Sequence, residues 1–429
     1  MAEKIKVALL GAGNVGSQAA RILVEDNAVL EKRIGAPVEL IGIAVRDTNA
    51  SRHWNADPSL YTTDAESLID AADVVIELTG GIEPARTRIL RALKAGKSVV
   101  SGNKALLAKH GVELQAAADE SGAQLSYEAA VAGAIPILRP LRDSLAGDRV
   151  TRVLGIMNGT TNYILDQMDT TGASFADALA EAQKLGYAEA DPTADVEGHD
   201  AASKAAIVAS LAFHSTFTID DVHTEGITSI TADDVAAADA DGYVIKLLAI
   251  CEREGENGAN IRVNPTLIPR QHPLAGVHGA FNAVFVEAEN AGELMFYGPG
   301  AGGAPTASAV LGDFVSLARR LVLGGPGVPE TSHAQLHATG LDNVVSRYSV
   351  GVLVEDRLGV LANITRILTE HGISVDSLRQ SAPKEGVAQI RMVTHSAKDA
   401  DLRRAIAVID ALDTVREVNS VIRVESEKH

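Results

Sequence analysis

The segment KIKVALLGAGNVGSQAARILV, running from Lys4 to Val24, decides the fold of this chain. Its apolar start predicts a short buried strand and its second half predicts a helix, with the pattern G-x-G-x-x-G between them. The first glycine permits a tight turn, the second lets a pyrophosphate approach the backbone, and the third lets helix and strand pack closely. Because the helix N-terminus would face the phosphates, the segment predicts a dinucleotide site. Its candidate residues are Gly11, Gly13, Asn14, Val15 and Gly16.

Strands and helices continue to alternate after this turn. The apolar runs at 38–45, 73–78, 98–101 and 124–127 predict strands, and helices are predicted between most of them. This alternation is typical of an α/β protein with a parallel, doubly wound sheet, which binds ligands at the carboxyl ends of its strands. Polar side chains that could contact a ligand lie at or just after these ends: Arg46, Thr79, Ser101, Lys104 and Glu128.

Arg46 bears on the choice of dinucleotide. The second strand of an NAD-selective fold usually ends in an Asp or Glu that binds the ribose 2′-hydroxyl. Here that strand ends in Val45-Arg46-Asp47, and an arginine can pair with a 2′-phosphate instead. The sequence therefore favours NADP, while Asp47 leaves NAD possible.

Composition excludes several classes of partner. The chain has 38 Lys and Arg against 56 Asp and Glu, a net charge of -18, which argues against a general nucleic-acid or membrane-surface binder. The apolar run at the N-terminus is too short for a secretory signal, and no segment has the length of a membrane span. The single cysteine, Cys251, lies in an apolar run and cannot form an intramolecular disulfide. We therefore expect a cytoplasmic protein.

The stretch LGYAEADPTADVEGHDAASK, residues 185–204, concentrates five acids in front of one lysine. Asp200 and Lys204 are four residues apart at the start of an apolar helical run, so both lie on one helix face. A tunable amine among carboxylates could form a site for a small charged substrate. A solvated acidic loop followed by an ordinary surface ion pair would give the same pattern. From these residues alone the two interpretations are equally supported.

Two further loops carry ligand-binding character. Asn158, Gly159 and Thr160 follow a predicted strand at 152–156 and could cap a helix while offering hydroxyl and backbone donors. Predicted strands at 260–268, 283–287 and 293–297 pair at least partly antiparallel. The last leads into GPGAGGAPTA at 298–307, whose four glycines exceed what a simple turn needs. Gly302 and Gly303 could close over a cofactor from the far side.

The C-terminal part has its own pattern. Residues 348–424 predict strand, helix, strand, strand, helix, strand, the split βαβ order of a ferredoxin-like module. The Gly-, Pro-, Thr- and His-rich segment before it predicts a linker. We therefore predict a dinucleotide-binding domain at 1–133 and an α+β substrate and dimerisation domain at 134–323, whose loop and helix at 298–323 return to the cofactor domain. A linker at 324–346 and a regulatory domain at 347–429 follow.

Long motifs spread over nearly the whole chain resemble one family, the homoserine dehydrogenases. They are GAGNVG at 11–16, SGNKALLA at 101–108, YEAAVAGAIPI at 127–137, NGTTNYIL at 158–165, the acidic stretch at 185–204, and GPGAGGAPTAS at 298–308. One departure is Ala134, where many relatives have a second glycine; alanine should be tolerated unless its backbone needs positive φ. Asp356-Arg357-Leu358-Gly359 and His371-Gly372-Ile373 resemble an ACT domain, a small amino-acid-sensing module.

The resemblance implies NAD(P)H-dependent interconversion of L-aspartate 4-semialdehyde and L-homoserine, a step toward threonine, methionine and isoleucine. Glu189 would bind the substrate ammonium group, with Asp195 a weaker candidate for substrate contact. Lys204 would donate a proton to the aldehyde oxygen, Asp200 would orient it, and Lys104 would lie beside nicotinamide and substrate. The residues leave open which lysine is the donor.

The resemblance also implies further ligands. Glu128, Val131, Gly133 and Ile135 match the family's monovalent cation site, mostly backbone carbonyls plus one carboxylate, which suits a hard cation such as Na⁺ or K⁺. Threonine is the expected effector of the ACT module, with Asp356, Gly359, Val360 and Leu361 as its candidate residues. A dimerisation module that has lost its ligand is the alternative. ACT modules pair side by side, so a homodimer or homotetramer is expected.

Other functions also fit parts of the sequence. A 2-hydroxy-acid or prephenate dehydrogenase could carry an ACT module, but the hydroxy-acid type places its glycine fingerprint mid-chain rather than at Gly11. Aspartate-semialdehyde dehydrogenase needs a nucleophilic cysteine, and Cys251 has no adjacent histidine. A non-catalytic amino-acid sensor would not require a proton donor, and the set Glu189, Asp200 and Lys204 speaks against it.

Overall fold

The computed structural model describes residues 3–324, 332–381 and 386–425. These residues form two compact units that alternate along the chain. The first comprises Met1–Gly159, Ala201–Asp221 and Phe281–Leu336, and the second comprises Thr160–Asp200, Val222–Ala280 and His337–His429. Within the described residues, no helix combines the length and apolar character needed to cross a bilayer.

The N-terminal part of the first unit is built on a six-stranded parallel sheet. Its strands are β1 Ile5–Leu10, β2 Val38–Ala44, β3 Tyr61–Thr62, β4 Val74–Glu77, β5 Ser98–Ser101 and β6 Leu125–Ser126. Its helices are α1 Asn14–Glu25, α2 Asn27–Ile34, α3 Ala65–Ala71, α4 Ala85–Lys94 and α5 Lys104–Ser121. The strand order β3-β2-β1-β4-β5-β6 is that of a dinucleotide-binding doubly wound sheet, which confirms the predicted fold class.

The chain then runs through a mixed region. Its elements are β7 Val150–Ile156, α6 Gly159–Thr171, α7 Phe175–Lys184, α8 Thr193–Val196, α9 His199–Phe213, β8 His223–Thr224, α10 Ala232–Ala240, β9 Tyr243–Glu254, β10 Gly258–Pro269, β11 Phe281–Ala288, β12 Gly292–Pro299 and α11 Gly303–Leu323. In the first unit, β11 pairs antiparallel with both β12 and β7, as predicted for the two later strands. Buried residues of α11, including Val310, Phe314 and Leu317, join the core around β1 and α1.

The core of the second unit includes a strand that the sequence did not reveal. β9 contains the apolar run VIKLLAIC around Cys251 and pairs antiparallel with β10 along its whole length. Periodicity alone cannot distinguish a buried strand from a buried helix in such a run. β10 also pairs in parallel with β8.

The C-terminal module follows in the same unit. Its elements are β13 His337–Ala338, β14 Val345–Glu355, α12 Val360–Glu370, β15 Val375–Gln380, β16 Val387–Thr394, β17 Ala397–Lys398, α13 Asp399–Asp410 and β18 Val415–Val424. The antiparallel order β18-β14-β16-β15, with two helices packed on one apolar core, confirms the predicted ferredoxin-like architecture. Of the predicted linker at 324–346, residues 325–331 lie outside the described residues. β18 and β13 both pair in parallel with β10.

Short 3₁₀ or π turns complete the described structure. They lie at Pro58–Leu60, Glu128–Ala130, Pro140–Ser144, Ile219–Asp221, Pro273–Gly276 and Leu341–Asn343.

Candidate functional site

The turn between β1 and α1 has the geometry that its glycines predict. Gly11 has a φ of 94°, and a Cβ there would lie 2.7 Å from the carbonyl oxygen of Leu78. A Cβ on Gly16 would lie 2.1 Å from the carbonyl oxygen of Gly11, whereas at Gly13 nothing lies within 4 Å. Close backbone contacts therefore require glycine at positions 11 and 16. The absence of a side chain at Gly13 leaves open space at the N-terminus of α1. The residues present fit a dinucleotide pyrophosphate.

A cavity of about 630 Å³ opens from this turn along the carboxyl ends of the first strands. Its polar and charged lining includes Arg46, Asp47, Ser51, Arg52, Thr63, Thr79 and Arg88. Predicted residues from three strand ends thus line one groove, together with Arg52 and Arg88, which sequence reasoning missed.

The three arginines of this groove are not equivalent. Arg52 donates to the carbonyl oxygens of Asp47 and Ala50 and lies 4.3 Å from the centre of the Tyr61 ring. Arg88 pairs with Glu66 at 3.0 Å. Arg46 is exposed and makes no hydrogen bond or ion pair with any described residue. Its guanidinium is therefore available to an anionic group in the groove.

A buried carboxylate organises the floor of the groove. Glu77, at the end of β4, is fully buried and accepts hydrogen bonds from the Thr79 backbone at 2.7 Å, from the Thr79 hydroxyl, and from the Ser101 hydroxyl at 2.9 Å. Ser101 Oγ in turn accepts from the backbone N–H of Asn103, whose side chain caps α5. Glu77 thus fixes two predicted cofactor residues and the start of the helix that carries Lys104. The sequence signal for this role of Glu77 was a single acid within the apolar run VVIEL.

The glycine loop after β12 lies against the cofactor turn. A Cβ on Gly303 would lie 2.4 Å from the side-chain oxygen of Asn14, and Gly302 has a φ of 119°. A Cβ on Gly300 would lie 2.2 Å from the side-chain amide of Asn282. Close packing at Gly300 and Gly303 and the positive φ of Gly302 explain why glycine occupies these three positions.

The segment with the predicted cation ligands folds as a tight turn. Both carboxylate oxygens of Glu128 are engaged: the backbone N–H groups of Ile137, Leu138 and Arg139 and the Arg139 Nε all donate to them, at 2.6–3.0 Å. Four donors saturate a carboxylate. A cation bound here would therefore be held by backbone carbonyls rather than by this carboxylate.

The backbone of this turn accounts for the Ala134 departure. Positive φ values fall on Ala132, at 55°, and on Gly133, at 58°. A Cβ on Gly133 would lie 2.4 Å from the carbonyl oxygen of Gly300, so this position needs glycine. Ala134 does not have a positive φ, and its N–H donates to the Pro299 carbonyl at 3.2 Å. Alanine is therefore tolerated, as expected.

The two candidate proton donors lie in different environments. Lys204, on α9, is 8% exposed, and its Nζ donates to the Met157 carbonyl oxygen at 2.6 Å. Asp200, one turn earlier on the same helix, is also 8% exposed. Lys104 is exposed in the first turn of α5. Lys204 is thus held in a largely buried position by a hydrogen bond, whereas the Lys104 side chain reaches solvent.

In the second unit, two predicted substrate segments meet. The Thr160 hydroxyl, in the first turn of α6, donates to the Tyr187 carbonyl at 2.7 Å, and the Tyr163 and Tyr187 rings are 4.9 Å apart. Tyr187 belongs to the acidic stretch and lies two residues before Glu189. The carboxylate of Glu189 is exposed and has no partner in the described part of the chain. It is therefore available to a cationic ligand.

The other acids of this stretch differ in role. Asp191 accepts from the backbone and hydroxyl of Thr193, and these hydrogen bonds hold the pKa of Asp191 below its usual range. Glu197 is half-buried and accepts from the Thr228 hydroxyl at 3.1 Å. The hydrogen bonds of Asp191 and Glu197 stabilise the conformation of this loop. The third acid, Asp195, is half-buried.

A third lysine was missed by sequence reasoning. Lys246, on β9, is 1% exposed, and its Nζ donates to Asn162 Oδ1 at 3.0 Å and to the Val277 carbonyl at 2.7 Å. Burial lowers the pKa of Lys246 to about 8, although Asp166 and Asp169 favour its charged form. This lysine ties α6 to the 277–279 loop. A lone lysine in the apolar run VIKLLAIC was the signal for it.

The remaining candidates lie as follows. Asp356 to Gly359 form the loop before α12, where Gly359 has a φ of 89°, Val360 is buried and Leu361 is half-buried. Cys251 is fully buried in β9, and burial raises the pKa of its thiol to about 12. A thiol held neutral in a core strand cannot serve as a nucleophile, which argues against aspartate-semialdehyde dehydrogenase.

The doubly wound sheet, its glycine turn and the arginine-lined groove are typical of dinucleotide-dependent oxidoreductases. Comparison with known proteins narrows this class. Residues 11–128 match the homoserine dehydrogenase NAD-binding domain, residues 136–315 match homoserine dehydrogenase, and residues 348–414 match the ACT domain. The chain belongs to the homoserine dehydrogenase family, as the motifs predicted.

Several individual relatives cover nearly the whole chain. It is 54% identical to the homoserine dehydrogenase of Corynebacterium glutamicum, over 98% of this chain and 96% of that one. The Mycobacterium tuberculosis enzyme is 52% identical over 98% of both. A homoserine dehydrogenase structure from Thiobacillus denitrificans superposes with a TM-score of 0.90 at 40% identity, covering 99% of this chain and 98% of that chain. A hyperthermophilic archaeal homoserine dehydrogenase in complex with NADPH has a TM-score of 0.62 at 27% identity, covering 73% and 98%.

Proposed function

We propose that this chain reduces L-aspartate 4-semialdehyde to L-homoserine with NADPH, on the route to threonine, methionine and isoleucine. The observation that carries the proposal is the environment of Lys204. This lysine is largely buried, hydrogen-bonded to the chain at the end of β7, and preceded by Asp200 one helical turn earlier. A reduction needs a proton donor held in place, and this ammonium meets that requirement.

The chain's residues divide the chemistry between them. When bound, the dinucleotide supplies the hydride. The Lys204 ammonium donates a proton to the aldehyde oxygen, so that hydride and proton together convert the aldehyde to an alcohol. Asp200 orients this ammonium, and Lys104 polarises the carbonyl. The carboxylate of Glu189, with Asp195 in support, binds the ammonium group of the substrate, while Asn158, Gly159 and Thr160 supply polar donors.

The reverse reaction tests this proposal simply. The purified protein should reduce NADP⁺ when L-homoserine is added, and the same amount of protein should not do so with L-threonine or L-serine. No homoserine-dependent reduction at any pH between neutral and alkaline would reject the proposed reaction.

We propose NADP as the preferred dinucleotide and NAD as a weaker substitute. Arg46 supports this choice, because its guanidinium lines the groove without a partner among the described residues. A guanidinium suits a phosphate better than an ammonium does, since it presents several donors in one plane. The family's archaeal relative in complex with NADPH is consistent with this choice.

Replacing Arg46 with alanine should lower the preference for NADPH over NADH by about ten- to a hundredfold, because a charge-assisted hydrogen bond contributes about 1.5–3 kcal/mol. The change should appear as a higher KM for NADPH with little change for NADH. Arg21→Ala is the matched control, since Arg21 is on α1 and pairs with Glu25 outside the groove. Equal losses with both dinucleotides would show that Arg46 does not contact the 2′-phosphate.

We also propose a monovalent cation, Na⁺ or K⁺, bound by backbone carbonyls of Glu128, Val131, Gly133 and Ile135. Support comes from the tight turn with two successive positive φ values, which can direct carbonyls toward one point. Oxygen-only ligands suit a hard cation.

We further propose that the C-terminal module binds threonine at the loop containing Asp356, Gly359, Val360 and Leu361, and thereby inhibits the enzyme. The match of residues 348–414 to the ACT domain supports an amino-acid effector. The loop lies at the N-terminus of α12, where backbone N–H groups are available to a carboxylate.

L-Threonine should therefore slow the parent protein, and Gly359→Ala should weaken this inhibition. Alanine is strained at the φ of 89° found here, at a cost of about 1–2 kcal/mol, so the loop should change shape. Gly372→Ala is the matched control, because Gly372 also has a positive φ and open space but follows α12. Initial rates at increasing threonine give the comparison; equal inhibition in all three proteins would place the effector elsewhere.

A homodimer or homotetramer in the cytoplasm completes the proposal. Phe281, Met295 and Tyr297 expose apolar surface on β11 and β12, and the Phe281 and Tyr297 rings stack at 5.3 Å. Exposed apolar patches of this kind often mark protein interfaces. The single buried cysteine is consistent with a reducing compartment.

A further inference from the structure

The C-terminal module is joined to the rest of the second unit by its last strand. β18 pairs in parallel with β10 through Thr266 and Arg423 and through Leu267 and Val424, and the N–H of Glu425 donates to the Leu267 carbonyl at 2.8 Å. The module is therefore continuous with the sheet of its unit rather than connected only through the chain before it. The pairing residues of β10 and β18 are therefore in direct backbone contact.

Arg423 is the charged residue at this junction. Its side chain is 11% exposed, and its Nη1 donates to both carboxylate oxygens of Glu225, at 2.9 and 3.0 Å. Its Nη2 donates to Asp399 at 2.8 Å, and the Tyr348 hydroxyl donates to the same oxygen of Asp399. Burial opposes ionisation of Glu225, but hydrogen bonding from His223 and the charge of Arg423 hold the pKa of Glu225 below its usual range. One guanidinium thus ties Glu225 to the module.

The segment that begins at Glu225 packs against the acidic stretch. The next residue, Gly226, has no room for a side chain, since a Cβ would lie 2.4 Å from the Val196 carbonyl oxygen and 2.6 Å from the Cα of Glu197. The N–H of Ile227 donates to the same Val196 carbonyl at 2.8 Å. The Thr228 hydroxyl donates to Glu197 at 3.1 Å. Residues 225–228 therefore touch the acidic stretch at its centre.

The acidic stretch passes from this contact straight into α9. Gly198 has a φ of 83°, and a Cβ there would lie 3.0 Å from the methyl group of Thr224. Asp200 follows in the first turn of α9. The position of Asp200, and of the loop carrying Asp195 and Glu189, is thus braced on one side by residues 224–228.

We propose that Arg423 is a positioning residue for substrate binding, which acts through Glu225 to hold residues 189–200 of the acidic stretch in place. The C-terminal module is then part of the support of the substrate site and not only an effector-binding attachment. An effector that displaced β18 would act on this support directly. The inference rests on the proposed function of Glu189, Asp195 and Asp200.

The test compares steady-state kinetics of the full-length parent with Arg423→Met, Arg423→Lys and Glu225→Gln. Arg423→Met and Glu225→Gln should each raise the KM for L-aspartate 4-semialdehyde by about tenfold. Each change removes the contact between Arg423 and Glu225 that holds the substrate-binding loop, but neither alters a side chain that takes part in the reaction. The KM for NADPH should change by less than about twofold, since the cofactor turn shares no partner with Arg423. Arg423→Lys, which keeps the charge but not the two-pronged contact, should give an intermediate KM.

Arg416→Met is the matched control, because Arg416 lies on the same strand in an exposed pair with Glu355. It should leave both KM values unchanged. Combining Arg423→Met with Glu225→Gln should raise the aldehyde KM no further than either change alone.

The outcomes separate this inference from the proposed function. If the parent does not reduce the aldehyde, the proposed function fails. If the parent is active and the variants keep its aldehyde KM, or lose affinity equally for aldehyde and NADPH, the positioning role is overturned. If Arg423→Met does not fold, Arg423→Lys decides: a selective rise in aldehyde KM supports the role, and an unchanged KM rejects it.

Discussion

Replacing Lys204 with methionine should lower kcat by about 10²- to 10⁴-fold, the range that a positioned proton donor contributes. Methionine keeps most of the volume and the unbranched shape of the lysine side chain while removing its charge and proton. The 2.6 Å hydrogen bond to the Met157 carbonyl would be lost, but the surrounding helix should remain. The KM for NADPH should be nearly unchanged, because the groove residues do not depend on Lys204.

Lys104→Met distinguishes the two candidate lysines. Since Lys104 is exposed, we expect it to polarise the carbonyl rather than to supply the proton, with a loss in kcat of about ten- to a hundredfold, the size of one charged hydrogen bond of about 1.5–3 kcal/mol. Lys109→Met, on an exposed part of the same helix, is the control for loss of charge. A larger kcat effect at Lys104 than at Lys204 would exchange their roles. Melting temperatures of all three variants should match that of the parent, which would exclude unfolding as the cause.

Alanine substitutions at Gly13 and Gly16 should separate binding from folding. Gly13→Ala adds a methyl group where nothing lies within 4 Å, so the fold should be unchanged. The same methyl group blocks the approach of the pyrophosphate, and we expect the cofactor Kd to rise by about ten- to a hundredfold, as a steric cost of about 1–3 kcal/mol implies. Gly16→Ala forces a Cβ to 2.1 Å from the Gly11 carbonyl oxygen and should destabilise the fold itself by about 1–3 kcal/mol or more.

Two measurements distinguish these effects. Thermal unfolding without cofactor should show a lower melting temperature for Gly16→Ala and an unchanged one for Gly13→Ala. Cofactor titration of the folded proteins should show weak binding for Gly13→Ala. Gly35→Ala, at the end of α2 with a φ of 89°, is a control for strain remote from the groove. Normal cofactor affinity in Gly13→Ala would show that the pyrophosphate does not lie on this turn.

Sequence patterns sufficed where the physical requirement is local. The turn at Gly11 to Gly16 is set by steric rules within a few residues, and the fold prediction followed from it. The order of strands and helices after Tyr348 likewise identified the ferredoxin-like module. Arg46 could be assigned to the groove because the end of a strand fixes its place.

Contacts between distant residues could not be predicted in this way. Glu77 accepts hydrogen bonds from Thr79 and from Ser101 on the neighbouring strand. Lys246 donates a hydrogen bond to Asn162, which lies 84 positions away in the chain. The sequence suggested a carboxylate ligand at Glu128, but the turn at 137–139 occupies that carboxylate. Such partners depend on how elements pack, and a single sequence carries no signal for that packing. The same holds for Glu225 and Arg423, 198 positions apart.

The central claim is that this chain converts an amino-acid aldehyde to homoserine with a hydride from NADPH. Its most direct test is to incubate the purified protein with NADPH and L-aspartate 4-semialdehyde and to quantify the amino-acid product against NADPH consumed. We expect one homoserine for each NADPH oxidised, and no oxidation when the aldehyde is omitted. Oxidation of NADPH without formation of homoserine, or no oxidation by a folded protein that binds NADPH, would contradict the assignment.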